Sequence, residues 1–133
     1  MAKRVKIIVE KASDGGYSCY TEKEFPYFSL AGYGDTAEEA KEDLVTCYEE
    51  MKELEAEEGR TVPEMEFIYK YDIQAFFNCF PFLNISKIAQ LAGINPSQMR
   101  QYVSGHSHAS QLQYNRLRET IKSISHQLGT AAL

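Results

Sequence analysis

The strongest constraint on the fold is a stretch in which two short helices have to meet at a tight turn. Ile88 and Ala89 precede Gly93, and Asn95-Pro96 follow it. Crossing helices need a small residue where their backbones meet, and the bend needs a residue that tolerates a left-handed backbone. Ala89 and Gly93 lie four residues apart and supply both, so the sequence predicts a sharply turning helix pair.

The residues after the turn carry the signals of a helix start. Asn95 is a favourable N-cap, Pro96 fits the first helical turn, and Gln98 completes a pattern like a capping box. These signals predict the second helix of the pair over residues 97–104.

This second helix has an apolar side and a polar side. Met99 and Tyr102 are three residues apart and are predicted to face the core, together with Ile88, Leu91 and Ala92. The outward positions carry side chains that can bond base edges and phosphates. With the turn residue and a histidine after the helix, the predicted DNA-binding set is Asn95, Ser97, Gln98, Arg100, Gln101 and His106.

The spacing over residues 85–128 resembles repressor-like helix-turn-helix domains. A downstream amphipathic helix belongs to the same stretch, and its apolar stripe is Leu112, Leu117, Ile121, Ile124 and Leu128. A plain helical hairpin with a solvated polar face stays open as the alternative, because a motif match alone does not establish DNA binding.

Length and composition indicate an ordinary globular protein. With 133 residues and 44% hydrophobic content, the chain is large enough to bury a core. No apolar run approaches the roughly 20 residues that span a bilayer, so we expect a cytoplasmic protein. Three widely spaced cysteines indicate neither a disulfide framework nor a zinc site, and favour small buried residues.

The net charge of −5 hides two opposite halves. Residues 1–70 hold nine basic and seventeen acidic residues, whereas residues 71–133 hold five basic and two acidic ones. The C-terminal half therefore suits phosphate contacts, and the N-terminal half suits a basic partner. An acidic half that only keeps the protein in solution is the alternative reading of the same charges.

The N-terminal half shows the pattern of an α+β domain. Alternating residues predict a strand over 5–9, Asp14-Gly15-Gly16 predicts a hairpin turn, and a second strand follows over 17–21. A third strand is expected over 27–31, with the glycine-rich stretch after it breaking the pattern.

A long helix follows, beginning with a capping box formed by Thr36 and Glu39 and ending at Gly59. Its predicted buried face comprises Ala37, Ala40, Leu44, Tyr48, Met51 and Leu54. Its opposite, acidic face comprises Glu38, Glu42, Glu49 and Glu53. A fourth strand or an extended exit over 65–71 then places the boundary between the halves near residue 70.

The N-terminal half resembles the HicB antitoxin family. The resemblance covers residues 3–56, and the motifs that carry it are Asp14-Gly15-Gly16-Tyr17, Phe25-Pro26, and Gly34-Asp35-Thr36 with Glu39-Ala40. It implies a truncated ribonuclease H-like fold. The expected architecture is thus α+β, a small antiparallel sheet with one long helix over 1–70, followed by an all-α helix-turn-helix domain over 71–133.

The same resemblance implies a function. Such proteins neutralise a small basic HicA-like ribonuclease toxin and repress their own promoter by binding operator DNA. For this chain we expect the toxin to contact loop aromatics and the acidic helix face. The expected partner-binding residues are Phe25, Tyr27, Phe28, Glu38, Glu42, Glu49 and Glu53.

No catalytic or cofactor site is predicted. Ribonuclease H chemistry needs carboxylates that converge on metal ions, whereas the acids here follow the solvent face of a helix. His106 and His108 alone are too few ligands for a metal. We therefore expect neither an enzyme nor a bound metal or cofactor.

A second function remains open from the sequence: a free-standing dimeric transcription regulator whose N-terminal domain senses a ligand or dimerises. Nine tyrosines could line a pocket, although strand packing explains them as simply. In both readings we expect a homodimer or higher even oligomer, because one helix-turn-helix reads few base pairs. The Phe-rich stretch Phe76-Phe77, Phe80 and Phe82 could contribute to that interface or to the core.

Overall fold

The computed structural model describes residues 2–133, which form four strands and five helices. In chain order these are β1 (Lys3–Lys11), β2 (Tyr17–Thr21), β3 (Ala31–Gly34), α1 (Ala37–Glu57), β4 (Met65–Tyr71), α2 (Ile73–Cys79), α3 (Ile85–Ala92), α4 (Pro96–Ser104) and α5 (Gln111–Thr130). The chain divides into two compact units, the first ending at Ala75 and the second comprising Phe76–Leu133. The first unit is α+β, and the described elements of the second are helical.

The first unit is built on the predicted hairpin. Strands β1 and β2 pair antiparallel, from Ile7 opposite Thr21 to Lys11 opposite Tyr17. In the turn, Gly15 has a φ of +94°, a conformation that favours glycine. The Asp14 carboxylate accepts a hydrogen bond of 3.0 Å from the Gly16 N–H, which fixes the turn.

The sheet is mixed, so the expectation of an antiparallel sheet was wrong. The strand order is β3-β2-β1-β4, and β4 runs parallel to β1 from Met65 opposite Lys3 to Tyr71 opposite Val9. Parallel neighbours need a long crossover connection, and α1 supplies it by carrying the chain from β3 to the other edge of the sheet. Alternation of side chains predicted β4 but carries no information on its direction.

The third strand also differs from the prediction. It comprises Ala31–Gly34, whereas residues 27–30 form no strand. The glycines that are expected to break the pattern lie within β3. They are required because α1 packs directly on this strand: a Cβ at Gly32 would overlap the backbones of Ala40 and Leu44. Close approach of helix and sheet therefore explains the glycine.

Helix α1 begins as predicted, with the Thr36 hydroxyl accepting a 3.1 Å hydrogen bond from the Glu39 N–H. Its central face is buried at Ala37, Ala40, Leu44 and Tyr48. Near the C-terminal end the predicted face was wrong, since Leu54 is 51% exposed and Glu55 is buried. The returning chain covers Glu55, because Arg60 pairs with its carboxylate and donates its backbone N–H to the Glu55 carbonyl at 2.8 Å.

The second unit has a small core shared by α2 to α5. The buried apolar residues of its helices and the α3–α4 turn are Phe77, Ile88, Ala89, Ala92, Ile94, Met99, Tyr102 and Leu117. Phe76 packs its ring between Phe77 and Phe80, with centroids 5.2 and 4.9 Å away. Phe82 is exposed, so the Phe-rich stretch is only partly core.

Two apolar predictions in this unit were wrong. On α5, Leu117 is buried, but Leu112 and Leu128 are 63% and 70% exposed. Helix α5 has 20 residues and is about 30 Å long, whereas the neighbouring helix α3 has 8 residues and is about 12 Å long. Helix α3 therefore covers only part of α5. Leu91 is 70% exposed because it lies about 60° around α3 from the buried arc.

None of the helices described over residues 2–133 combines the length and the apolar character that a membrane span requires.

A hydrogen bond between neighbouring strands gives a pH-dependent prediction. The Tyr20 hydroxyl on β2 donates to the Glu10 carboxylate on β1, and this bond, with partial burial and the carboxylate charge, raises the pKa of Tyr20 to about 12. The bond therefore stabilises the fold below pH 10, and its contribution is lost as the pH rises from 10 through 12. We expect an ultraviolet difference titration of the wild type against Tyr20→Phe to show this late ionisation.

The control for this titration is Glu10→Gln, which removes the acceptor charge and should return the Tyr20 pKa toward 10. A Tyr20 signal that ionises near 10 in the unchanged protein would contradict the prediction.

Candidate nucleic-acid interface

The ends of α3 are fixed by its own sequence. The Asn84 carboxamide oxygen accepts a 3.0 Å hydrogen bond from the Lys87 N–H at the N-terminus. At the C-terminus Gly93 adopts φ +73°, and the N–H groups of Gly93 and Ile94 bond back to the carbonyls of Gln90 and Ala89 at 3.2 and 2.9 Å. The predicted left-handed residue at the bend is confirmed.

Helix α4 begins within three residues of this bend. The Asn95 side-chain oxygen accepts hydrogen bonds from the N–H groups of Ser97 and Gln98 at 2.8 and 3.4 Å, which caps the helix. Met99 and Tyr102 are buried, as predicted, and Gly105 ends the helix with φ +82°. Buried anchors on one side fix which side chains the helix presents on the other.

The six residues of the predicted DNA-binding set are all exposed: Asn95, Ser97, Gln98, Arg100, Gln101 and His106. Three of them are partly engaged within the unit. Asn95 caps α4, the Gln101 side chain lies 3.5 Å from the Ser107 hydroxyl, and the His106 ring nitrogen Nδ1 lies 2.6 Å from the Ser104 hydroxyl. These three side chains are therefore oriented.

Ser97, Gln98 and Arg100 are the unengaged members of the set. Over residues 2–133 their side chains make no hydrogen bond or ion pair. Gln98 lies in the first turn of α4, whose backbone N–H groups are already bonded to Asn95. The exposed face of α4 thus offers a hydroxyl, an amide and a guanidinium to a polyanion.

The difference in net charge is larger between the two structural units than between the sequence halves 1–70 and 71–133. The second unit has five basic residues, Lys87, Arg100, Arg116, Arg118 and Lys122, and one acidic residue, Glu119. The first unit holds nine basic and eighteen acidic residues. The unit that carries α4 is therefore the one whose net charge favours phosphate.

The predicted acidic face of α1 is exposed at all four positions, Glu38, Glu42, Glu49 and Glu53. Two of these carboxylates have neighbours on the helix, since Glu38 lies 3.4 Å from the Lys41 ammonium and Glu49 lies 3.3 Å from that of Lys52. Such exposed pairs contribute little stability, so the face remains available to a basic partner.

The three predicted loop aromatics are arranged in two groups. The rings of Phe25 and Phe28 stack on each other with centroids 4.7 Å apart, and both are half-buried. Tyr27 is exposed, and the Arg60 guanidinium lies 4.9 Å from its ring centroid. Tyr27 is thus the member of this loop most open to a partner.

Sequence reasoning missed a cluster around Lys41 on α1. Its ammonium lies 4.7 Å from the Tyr69 ring centroid and 5.0 Å from that of Tyr71, and it donates to the Tyr71 hydroxyl. Desolvation opposes its charge, but the bond to Tyr71 and the charges of Tyr71 and Glu38 outweigh that effect and raise the pKa of Lys41. Only the pairing of α1 with β4, which the sequence does not give, could have revealed this cluster.

Among residues 2–133 no three His, Cys, Asp or Glu side chains are grouped so that they could hold a metal ion. The free thiols are Cys19, which is buried, and Cys47 and Cys79, which are half-buried. No family model matches the chain, and neither a curated protein nor a solved structure was found to be similar to it.

Proposed function

We propose that the chain is a HicB-like antitoxin of a type II toxin–antitoxin pair. In this proposal the acidic first unit binds and neutralises a small basic HicA-like ribonuclease, and the helical second unit represses the promoter of the pair. The observation that carries the proposal is the division of charge: nine basic against eighteen acidic residues in one unit, and five against one in the other. Opposite charges in one chain favour two different partners.

The DNA-binding part of the proposal is supported by the α3–α4 pair. Its bend has a glycine with φ +73°, and α4 is anchored by Met99 and Tyr102 while Gln98 and Arg100 are exposed. A short anchored helix with amide and guanidinium side chains on its free face suits base edges in a major groove. Two copies would bind a pseudo-palindromic operator with half-sites about 34 Å apart or a multiple of it.

The toxin-binding part is supported by the first unit. The exposed carboxylates of α1 would attract a cationic protein and speed the encounter, and aromatic contacts such as Tyr27 would supply affinity at short range. Neutralisation then requires no chemistry from the chain itself.

Co-expression tests the proposal. The tagged full chain is produced with the genes adjacent to its own, and the purified complex is analysed for stoichiometry, ribonuclease activity and binding to the upstream promoter. We expect a small basic protein in stoichiometric amount, whose ribonuclease activity is absent in the complex and present after the chain is removed. A chain that binds its promoter but has no such partner would instead support the free-standing regulator.

A further inference from the structure

An open groove lies between α1 and β4 in the first unit, with a volume of about 540 Å³. Its lining residues are Glu38, Lys41, Glu42, Val45, Thr46 and Tyr69. The walls are of two kinds: Val45, which is 40% exposed, and the Tyr69 ring form an apolar strip, and the remaining side chains are polar. The groove therefore suits a group that is apolar along its length and polar at its end.

The one cation in the lining does not make the groove an anion site. The Lys41 side chain is only 16% exposed, and its ammonium is already surrounded by the two tyrosine rings, the Tyr71 hydroxyl and the Glu38 carboxylate. Two of the three donors of this ammonium bond the Tyr71 hydroxyl and the Glu38 carboxylate. Lys41 serves as a structural tie between α1 and β4.

The free charge at the groove is negative. The Glu42 carboxylate makes no hydrogen bond or ion pair to any residue over 2–133, whereas Glu38 lies 3.4 Å from Lys41. Glu38, Glu42 and Thr46 follow one another at four-residue spacing, so they form one row along α1. The Thr46 hydroxyl donates to the Glu42 carbonyl at 3.1 Å, which leaves its oxygen free to accept.

From this arrangement we infer that the groove binds an arginine side chain of the basic protein partner. The aliphatic stem of the arginine lies over Val45 and Tyr69, and its guanidinium donates to Glu42 and Thr46. Arginine fits better than lysine because its planar group has five donors and can bond a carboxylate with two parallel hydrogen bonds. The inference rests on the proposed function for the source of the arginine, a protein attracted by the acidic unit.

A small peptide tests the groove without the partner. The full chain, labelled with ¹⁵N, is titrated with N-acetyl-Gly-Arg-Gly-amide at constant ionic strength, and the backbone amide signals of Val45 and Thr46 are followed by NMR. We expect saturable shifts at these amides. The same peptide with citrulline, which has the shape of arginine but no charge, should cause none.

Two variants separate the groove from the general acidity of the helix. Glu42→Gln removes the free carboxylate of the groove, and we expect it to lower the affinity for the peptide about three- to fivefold. Glu50→Gln removes the same charge from an exposed α1 site that is outside the lining and outside the expected partner-binding set, and should leave the affinity unchanged. Equal losses in the two variants, or citrulline binding equal to arginine, would overturn the inference.

The partner complex gives an independent result. If a basic partner co-purifies and Glu42→Gln binds it as well as wild type does, the groove inference fails and the proposed function stands. If the peptide binds as expected but no partner is found, the proposed function fails, and with it the partner as the source of the arginine, while the preference of the groove for arginine stands.

Discussion

The double variant Gln98→Ala/Gln101→Ala is expected to lose most of its affinity for operator DNA. Both side chains are on the exposed face of α4, and each amide that bonds a base edge contributes about 1 to 3 kcal/mol of discrimination. The pair should therefore cost about 2 to 6 kcal/mol if the two contributions add. The measurement is a gel-shift titration with a duplex selected by the wild-type chain from a random pool.

Gln127→Ala is the matched control, because it truncates an exposed glutamine of α5 rather than α4. It should leave the gel shift unchanged, and binding of the basic protein partner that we propose for the first unit should be unchanged in all these variants. Full affinity of the double variant for the selected duplex would rule out α4 as the reading helix.

Gly32→Ala is expected to destabilise the first unit by about 3 kcal/mol. The added Cβ would overlap backbone atoms of Ala40 and Leu44, and neither backbone can move without separating α1 from the sheet. Denaturant unfolding followed by circular dichroism measures the loss. Amide hydrogen exchange in β2 and β3 assigns it to this unit.

Gly129→Ala provides the same substitution without the overlap. Gly129 is in α5, has no neighbouring atom within 4 Å of an added Cβ and has no positive φ. Alanine should be neutral there or stabilise the helix by up to about 1 kcal/mol. If Gly32→Ala were as stable as the wild type, the contact between β3 and α1 would have to be loose enough to hold a Cβ beside the backbones of Ala40 and Leu44.

Features that depend on adjacent residues could be predicted from the sequence. The Thr36 cap, the Asp14 turn and the Asn95 cap each use side chains that bond backbone groups two or three residues away. Gly93 follows the same rule, because its left-handed conformation is a local property. The exposure of the α4 face followed from this local geometry together with the burial of Met99.

Features that depend on distant parts of the chain could not be predicted in this way. The direction of β4, the contact of Gly32 with α1 and the groove beside Lys41 all arise when α1 crosses the sheet. Likewise, helical spacing marks an apolar stripe on α5 but does not reveal how much of it a shorter neighbour covers. The stripe therefore predicts burial of Leu112 and Leu128, whereas the core ends before it reaches these two residues.

The parallel pairing of β1 with β4 determines when the sheet can be completed during synthesis. Strand β1 ends at Lys11 and its second neighbour ends at Tyr71, about 60 residues later. At roughly 5 to 20 residues per second, a ribosome needs about 3 to 12 s to deliver that neighbour. Until then β1 is the outer strand of a hairpin, and the nascent chain carries an open strand edge of unpaired N–H and C=O groups that a chaperone or another nascent chain can contact.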